Sequence, residues 1–215
     1  MSKYYPDSKV EIDGFTAKYY DSLMNFISLG FYKSFINKAI SDMKINPDDK
    51  ILDLGAGTGR NALLMNKYLG KNGQIIGLDI NEIMINHYLK NTENYPNLTI
   101  KNLRIDQPFD LDMKFDKVFI SFVIHGFPNE IRMKIIENAK NSLKSGGKFY
   151  ILDFNEFVLE KMPFYLRIPF TKIECKYAFD FIKRDWKKIL SETGFNSVTE
   201  NFYMKKYVRL LSVEK

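Results

Sequence analysis

The stretch Ile51-Leu52-Asp53-Leu54-Gly55-Ala56-Gly57-Thr58-Gly59-Arg60 constrains the fold more than any other, because an apolar strand runs directly into glycines at every second position. Gly55 and Gly57 let the backbone turn sharply and approach a ligand with no Cβ in the way, and Gly59 opens a helix whose amides face that ligand. Such a loop reads as the cofactor loop of a nucleotide-binding α/β domain. Its spacing is not that of a dinucleotide loop, which needs glycine at the first, third and sixth positions. Here the sixth position is Arg60 and the fifth is Gly59.

The rest of the chain supplies the alternation that a doubly wound sheet requires. Lys50–Leu54 reads as the first strand and Arg60–Leu69 as its helix. Gln74–Ile80 is a near-continuous apolar run, typical of a parallel strand buried on both faces. Asn81 is placed to cap a helix over Glu82–Lys90. Leu98–Leu103 and Asp116–Val123 give the third and fourth strands, and Asn129–Leu143 a helix with Ile131, Ile135, Ala139 and Leu143 at four-residue intervals. Ser145-Gly146-Gly147 ends that helix before a fifth strand, Lys148–Phe154. Asp180–Thr193 reads as a helix closed by Gly194, and Asn196–Tyr203 and Tyr207–Val213 as the strands of a hairpin. Asn155–Phe179 holds Pro163 and Pro169 and shows no clear period, so it reads as an irregular lid or substrate element.

Composition narrows the classes. The single cysteine, Cys175, excludes an internal disulfide and a cysteine-built metal site, and no metal is expected. The net charge is +6, and from Asn155 onward 12 Lys plus Arg face 8 Asp plus Glu, a surplus of four. That bias suits an anionic substrate, RNA or an acidic membrane surface, or reflects a Lys-, Asn- and Ile-rich composition. No apolar run has signal-peptide or membrane-spanning length, so a cytoplasmic location is expected.

The pattern Asp-x-Gly-x-Gly-x-Gly, with Asp53 two residues before the first glycine, resembles motif I of class I S-adenosylmethionine-dependent methyltransferases. In Gly77-Leu78-Asp79 an acid ends the second strand, 24 residues after Gly55, where a carboxylate can accept from both hydroxyls of a ribose. Asp106 resembles the family position where an acid or amide meets the adenine amino group; an exposed loop aspartate that starts a turn is the other reading. The resemblance implies a Rossmann-like α/β fold: a doubly wound, mostly parallel seven-stranded sheet with a C-terminal antiparallel hairpin and an N-terminal helical cover over 1–45, all in one domain, 1–215. It implies S-adenosyl-L-methionine as cofactor, with S-adenosyl-L-homocysteine as product, held by Asp53, Gly55, Ala56, Gly57, Gly59, Asp79, Ile80, Asp106 and Ser121.

The segment from Gly14 to Tyr32, with its Tyr20-Asp21, Met24-Asn25 and Ser28-x-Gly30 series, resembles the opening of the ubiquinone/menaquinone biosynthesis C-methyltransferase family. In that family the N-terminal helices cover the cofactor, which makes Tyr20 and Asn25 candidates to touch it; simple packing on the sheet is the alternative. After the fourth strand the quinone enzymes carry Gly-Leu-Arg-Asn, where this chain has Val123-Ile124-His125-Gly126. The family's closing strand is also replaced, by Lys205-Lys206-Tyr207-Val208-Arg209-Leu210-Leu211. His125 can titrate near neutrality and is the candidate general base, or else a wall of the pocket. His87, in mid-helix, reads as surface.

The expected activity is methyl transfer to a small-molecule acceptor, apolar or quinol- or lipid-like, with peripheral membrane contact and no nucleic acid. Phe157, Met162, Phe164, Tyr165, Phe170 and Phe179 would line a lid over such a ligand. An RNA methyltransferase and a binding protein of the same fold that has lost catalysis are the other readings. The chain has no Asn-Pro-Pro-Tyr, Asp-Pro-Pro-Tyr or Pro-Cys motif of the kind used to methylate nucleic-acid bases.

Overall fold

The computed structural model describes residues 32–215, so Tyr20, Asn25 and the part of the helical cover before Tyr32 lie outside the described residues. Seven strands form one sheet: β1 (Lys50–Leu54), β2 (Gln74–Asp79), β3 (Leu98–Asn102), β4 (Phe115–Ser121), β5 (Leu143–Phe154), β6 (Asn196–Tyr203) and β7 (Val208–Glu214). Their order is β3-β2-β1-β4-β5-β7-β6. The first five run parallel, and β7 is antiparallel to both β5 and β6. Strand order reverses between β1 and β4, which opens a crevice at their carboxyl ends.

The helices are α1 (Tyr32–Asp42), α2 (Arg60–Asn66), α3 (Glu82–Thr92), α4 (Asn129–Ser142), α5 (Phe164–Ile173), α6 (Lys176–Phe181) and α7 (Trp186–Glu192). They cover both faces of the sheet, which is why the central strands are apolar on consecutive residues. Ile51, Ile75, Phe119 and Leu152 pack against Ile36, Ile40, Ala62, Met65 and Tyr88 from α1, α2 and α3. The neighbouring residues Leu52, Leu54, Val118, Ile120 and Ile151 face the opposite way, onto Ile135, Ile136 and Ala139 of α4 and onto Phe181 and Trp186. The described part of the N-terminal cover is pinned by polar contacts as well. The Tyr150 hydroxyl donates to the Met43 carbonyl at 3.0 Å, and the Tyr203 hydroxyl to Asp42 Oδ2 at 2.7 Å.

Three elements depart from the sequence expectation. The helix expected over Asp180–Thr193 is divided between α6 and α7, because the Asp185 side chain accepts from the Lys188 amide at 3.0 Å and starts a new helix there. The fifth strand begins at Leu143, where α4 passes straight into it, and its pairing with β4 shifts register between Phe115 and Lys117. The segment expected to be irregular is helical. Pro163 stands at the N-cap of α5, and Pro169 lies inside that helix, where its ring removes the amide that would bond to Tyr165. Prolines that read as breakers therefore sit within a short amphipathic helix, Phe170 turned in and Phe164, Tyr165 and Ile168 turned out.

Candidate active site

The loop after β1 holds three left-handed glycines, Gly55 (φ 74), Gly57 (φ 56) and Gly59 (φ 80). Its amides turn inward. Gly55 and Ala56 N–H both donate to the Leu78 carbonyl, at 2.8 and 3.0 Å, Gly59 N–H donates to the Ala56 carbonyl at 3.1 Å, and Gly57 N–H donates to Asp79 Oδ2 at 2.8 Å. These four amides are thus spent within the fold, and what the loop itself offers a ligand is space. A Cβ on Gly57 would meet nothing within 4 Å, whereas one on Gly55 would strike Val123 Cγ2 at 2.7 Å and one on Gly59 the Tyr88 ring at 2.9 Å. Gly55 and Gly59 allow close packing, and Gly57 borders the open ground.

Two carboxylates, Asp53 buried and Asp79 half-buried, stand behind this space. Asp79 Oδ1 accepts from the Ile80 and Asn81 amides at 2.8 and 2.9 Å, and burial pushes its carboxyl up against the effect of its three amide donors. Asp53 is 1% exposed, and its Oδ2 has no partner among the described residues. Burial, with the Asp79 charge beside it, pushes the Asp53 carboxyl up to about 7. The Tyr88 hydroxyl and Ser121 Oγ are likewise buried without partners among the described residues. Orphaned acceptors at this depth cost free energy unless a ligand with donors or positive charge meets them. An ammonium, a sulfonium and ribose hydroxyls are groups of that kind.

Asp106 is 4% exposed, which sets aside the exposed-turn alternative. Arg104 clamps it through Nε to Oδ1 at 3.1 Å and Nη2 to Oδ2 at 2.7 Å, and Gln107 Nε2 adds a bond at 3.1 Å.

His125 sits in a short 3₁₀ turn, Ile124–Gly126, just past the end of β4. Its Nδ1 lies 2.8 Å from Asp153 Oδ1 and its Nε2 3.2 Å from Glu174 Oε2, while its backbone N–H donates to Asp153 Oδ2 at 3.3 Å. Burial pushes the imidazole down, but Asp153 and Glu174 together outweigh it and hold the ring protonated well above the ordinary histidine range. A ring donating from both nitrogens has no lone pair with which to take a proton. In this geometry His125 is held between two carboxylates, an arrangement that favours the imidazolium over the free base expected from the sequence. His87, half-buried on α3, has no part in the cluster.

An aromatic wall flanks the cation. Phe154 packs on the His125 ring at 4.9 Å, Phe170 on Phe154 at 5.0 Å, and Phe122 on Phe154 at 5.8 Å, with Phe35 of α1 reaching Phe122 at 6.1 Å. Phe122 holds a left-handed φ of 53, a strained backbone at the strand end where the chain turns from sheet to site.

Sequence reasoning missed Asp153, Glu174 and Arg132. Asp153 ends a strand at the carboxyl edge, as Asp79 does, and that signal could have found it. Glu174 lies where no period guides the eye. Arg132, fully buried on α4, donates to the carbonyls of Ile124 (3.2 Å), His125 (3.0 Å) and Tyr177 (2.6 Å) and to Asp180 Oδ2 (2.6 Å), so it fixes the His125 turn and ties it to α6.

A glycine loop and strand-end acids at the switch point of this sheet define an α/β enzyme that takes a nucleoside cofactor. Residues 45–194 match the family described as a methyltransferase domain. The chain is 31% identical over 195 residues to the ubiquinone/menaquinone biosynthesis C-methyltransferase of Wigglesworthia glossinidia brevipalpis, covering 88% of this chain and 69% of that one. It is 28% identical to the demethylmenaquinone methyltransferase of Staphylococcus carnosus strain TM300, over 83% of this chain and 81% of that one. The crystal structure of a SAM-dependent methyltransferase from Aquifex aeolicus shares the fold, with a TM-score of 0.67, 17% identity, and 94% and 98% of the two chains covered. The chain belongs to the class I S-adenosylmethionine-dependent methyltransferase family, and S-adenosylmethionine is its cofactor.

Proposed function

We propose that this protein methylates an apolar small molecule bearing an ionisable hydroxyl, of the quinol or lipid-like class, and that His125 serves it as a fixed cation. The observation that carries this reading is the placement of His125 between Asp153 and Glu174 beneath the Phe122–Phe154–Phe170 wall, which favours a protonated ring. It stands where the quinone enzymes have arginine, and a positive charge there is what an anionic acceptor oxygen needs. Both relatives above are named as methyltransferases of quinone biosynthesis or of demethylmenaquinone.

Bound S-adenosylmethionine supplies an electrophilic methyl group on a sulfonium. Asp53 offers its unpartnered oxygen to the cofactor's positive charge, Asp79 its remaining lone pair to the ribose, and the space beside Gly57 admits the backbone of the ligand. Asp106, Ala56, Ile80 and Ser121 complete the edge. The acceptor hydroxyl would release its proton to solvent on entry, its oxygen would take the position of Glu174 Oε2 against His125 Nε2 and keep its negative charge there, and the aromatic side chains would then exclude water. Orientation of the two reactants then supplies much of the acceleration.

The basic C-terminal part supports a small molecule over RNA. Arg209 is paired with Glu156 and Glu200, Arg184 with Asp180, and Lys187 with Glu200, so these three bases are engaged within the fold instead of being offered to a phosphate backbone. The test is transfer of a tritiated methyl group to cell extract separated into lipid, small-molecule and RNA pools. Label in the lipid or small-molecule pool is expected; label confined to RNA refutes the reading.

A further inference from the structure

We infer that the outer face of α5, with the turn Met204–Lys206 beside it, is the surface by which this protein seats on an anionic lipid bilayer. Phe164, Tyr165 and Ile168 are 68%, 49% and 48% exposed, and their spacing puts them on one helix face. Phe202 and Met204 on the hairpin extend the apolar surface, at 44% and 36% exposed. Large apolar side chains gathered in this way mark a contact surface.

The patch is one surface, joined by contacts. Lys205 Nζ lies 3.2 Å from the Tyr165 hydroxyl, which brings the hairpin turn against α5, and Lys206 lies over the Phe202 ring at 5.8 Å. Met204, Lys205 and Lys206 all hold left-handed φ, at 47, 55 and 70, so the strained turn holds both lysines out beside the apolar face.

Charge selects the occupant. Lys205 and Lys206 stand against these residues, Lys172 follows Ile168 by one turn on the same helix face, and Lys161 and Lys176 are exposed just before and after the helix, with Glu160 the exposed acid of the same segment. Glu174 is turned away, onto His125. Apolar residues ringed by lysine suit an interface that is greasy within and negative at its surface, which is the description of an anionic membrane. Among the described residues no helix is long and apolar enough to cross a membrane, so the contact is peripheral.

The same helix faces both ways. Phe170 turns inward onto Phe154, Phe157 and Phe179, and Glu174, just past the helix end, reaches His125. A bilayer held on the outer face would thus lie one helix away from the proposed acceptor site. Membrane binding itself does not depend on the identity of the acceptor, and it is read without any methyl transfer.

The experiment is co-sedimentation of the full chain with vesicles of equimolar phosphatidylglycerol and phosphatidylcholine, against vesicles of phosphatidylcholine alone, at low and high salt. The variants are Phe164→Ser with Ile168→Ser, Lys205→Glu with Lys206→Glu, and Leu89→Ser as an exposed apolar control on α3. Melting curves confirm that each is folded. Wild type and the Leu89 control are expected to sediment with the anionic vesicles. Each double variant should bind about tenfold more weakly or less, and salt should weaken wild-type binding. Three results overturn the inference: equal sedimentation of wild type with neutral vesicles at both salts, wild-type binding by either folded double variant, or a wild-type dimer that Phe164→Ser with Ile168→Ser converts to monomer.

Discussion

Replacing Asp53 by Asn removes a carboxyl that burial, together with the Asp79 charge, pushes up to about 7 from 3.8. An acid whose pKa is higher in the folded than in the unfolded chain opposes folding. The cost is absent below the unfolded value, grows between the two, and is complete above the folded one. The difference corresponds to on the order of 4 kcal/mol at alkaline pH, reduced to roughly 2–4 kcal/mol because the amide that replaces the carboxyl is itself left short of partners. Asp53→Asn should therefore stabilise the cofactor-free protein by that amount at about pH 8 and by progressively less toward about pH 5, a direction opposite to that of most buried polar substitutions. Cofactor binding should move the other way. A cationic ligand selects the ionised carboxylate, so wild-type affinity for S-adenosylmethionine should fall by up to about tenfold per unit as pH drops below about 7, with a proton released on binding near neutrality. Denaturant titration across this range measures the first effect, and calorimetry in two buffers of different ionisation enthalpy measures the second. A variant destabilised equally at every pH, or a wild-type affinity flat from acid to alkaline pH, would refute the reasoning.

Arg132→Met strips three carbonyls and Asp180 of a buried donor; a loss of about 3–5 kcal/mol is expected by denaturant unfolding, with Arg132→Lys recovering only part because one ammonium cannot span the fork. Gly57→Ala, at a left-handed φ but facing open space, should cost about 1–2 kcal/mol of stability and sharply weaken S-adenosylmethionine binding by calorimetry. Gly55→Ala should cost more stability through its clash with Val123. Glu174→Gln removes one of the two anions holding His125 protonated; the imidazole should then ionise at lower pH by NMR, and the KM for an acceptor hydroxyl should fall, since it no longer displaces a charge.

The sheet was legible because its chemistry is local. Ile75–Leu78 in β2 and Val118–Ile120 in β4 are apolar on consecutive residues, as strands covered on both sides must be, and Asn81 capped the helix it was expected to cap, accepting from the Ile83 and Met84 amides. Asp53, Gly57 and Asp79 could be picked out because backbone geometry dictates residue type at those places. The inward turn of the loop amides could not, since it depends on where Leu78 O and Asp79 Oδ2 lie across the loop. His125 was visible as a histidine at a strand end, yet its charge is set by Asp153 from β5 and Glu174 from beyond α5, 28 and 49 residues away in sequence. The break before α7 hides because Asp180 and Arg184 suit a continuous helix equally well; Asp185 decides otherwise by capping.

The proposal turns on whether His125 acts as a cation toward an ionised apolar acceptor. The measurement that tests it most directly is the pH dependence of labelled methyl transfer from S-adenosylmethionine to a reduced prenyl-naphthoquinone, for wild type and His125→Gln at saturating cofactor. Wild-type turnover should hold through neutrality and fall only as pH rises past the raised ionisation of His125. The variant should bind cofactor as well as wild type, turn over about a hundredfold more slowly, and lack that fall. A wild-type rate that instead rises through neutrality and is lost at acid pH, or a variant as fast as wild type with the same profile, would contradict it.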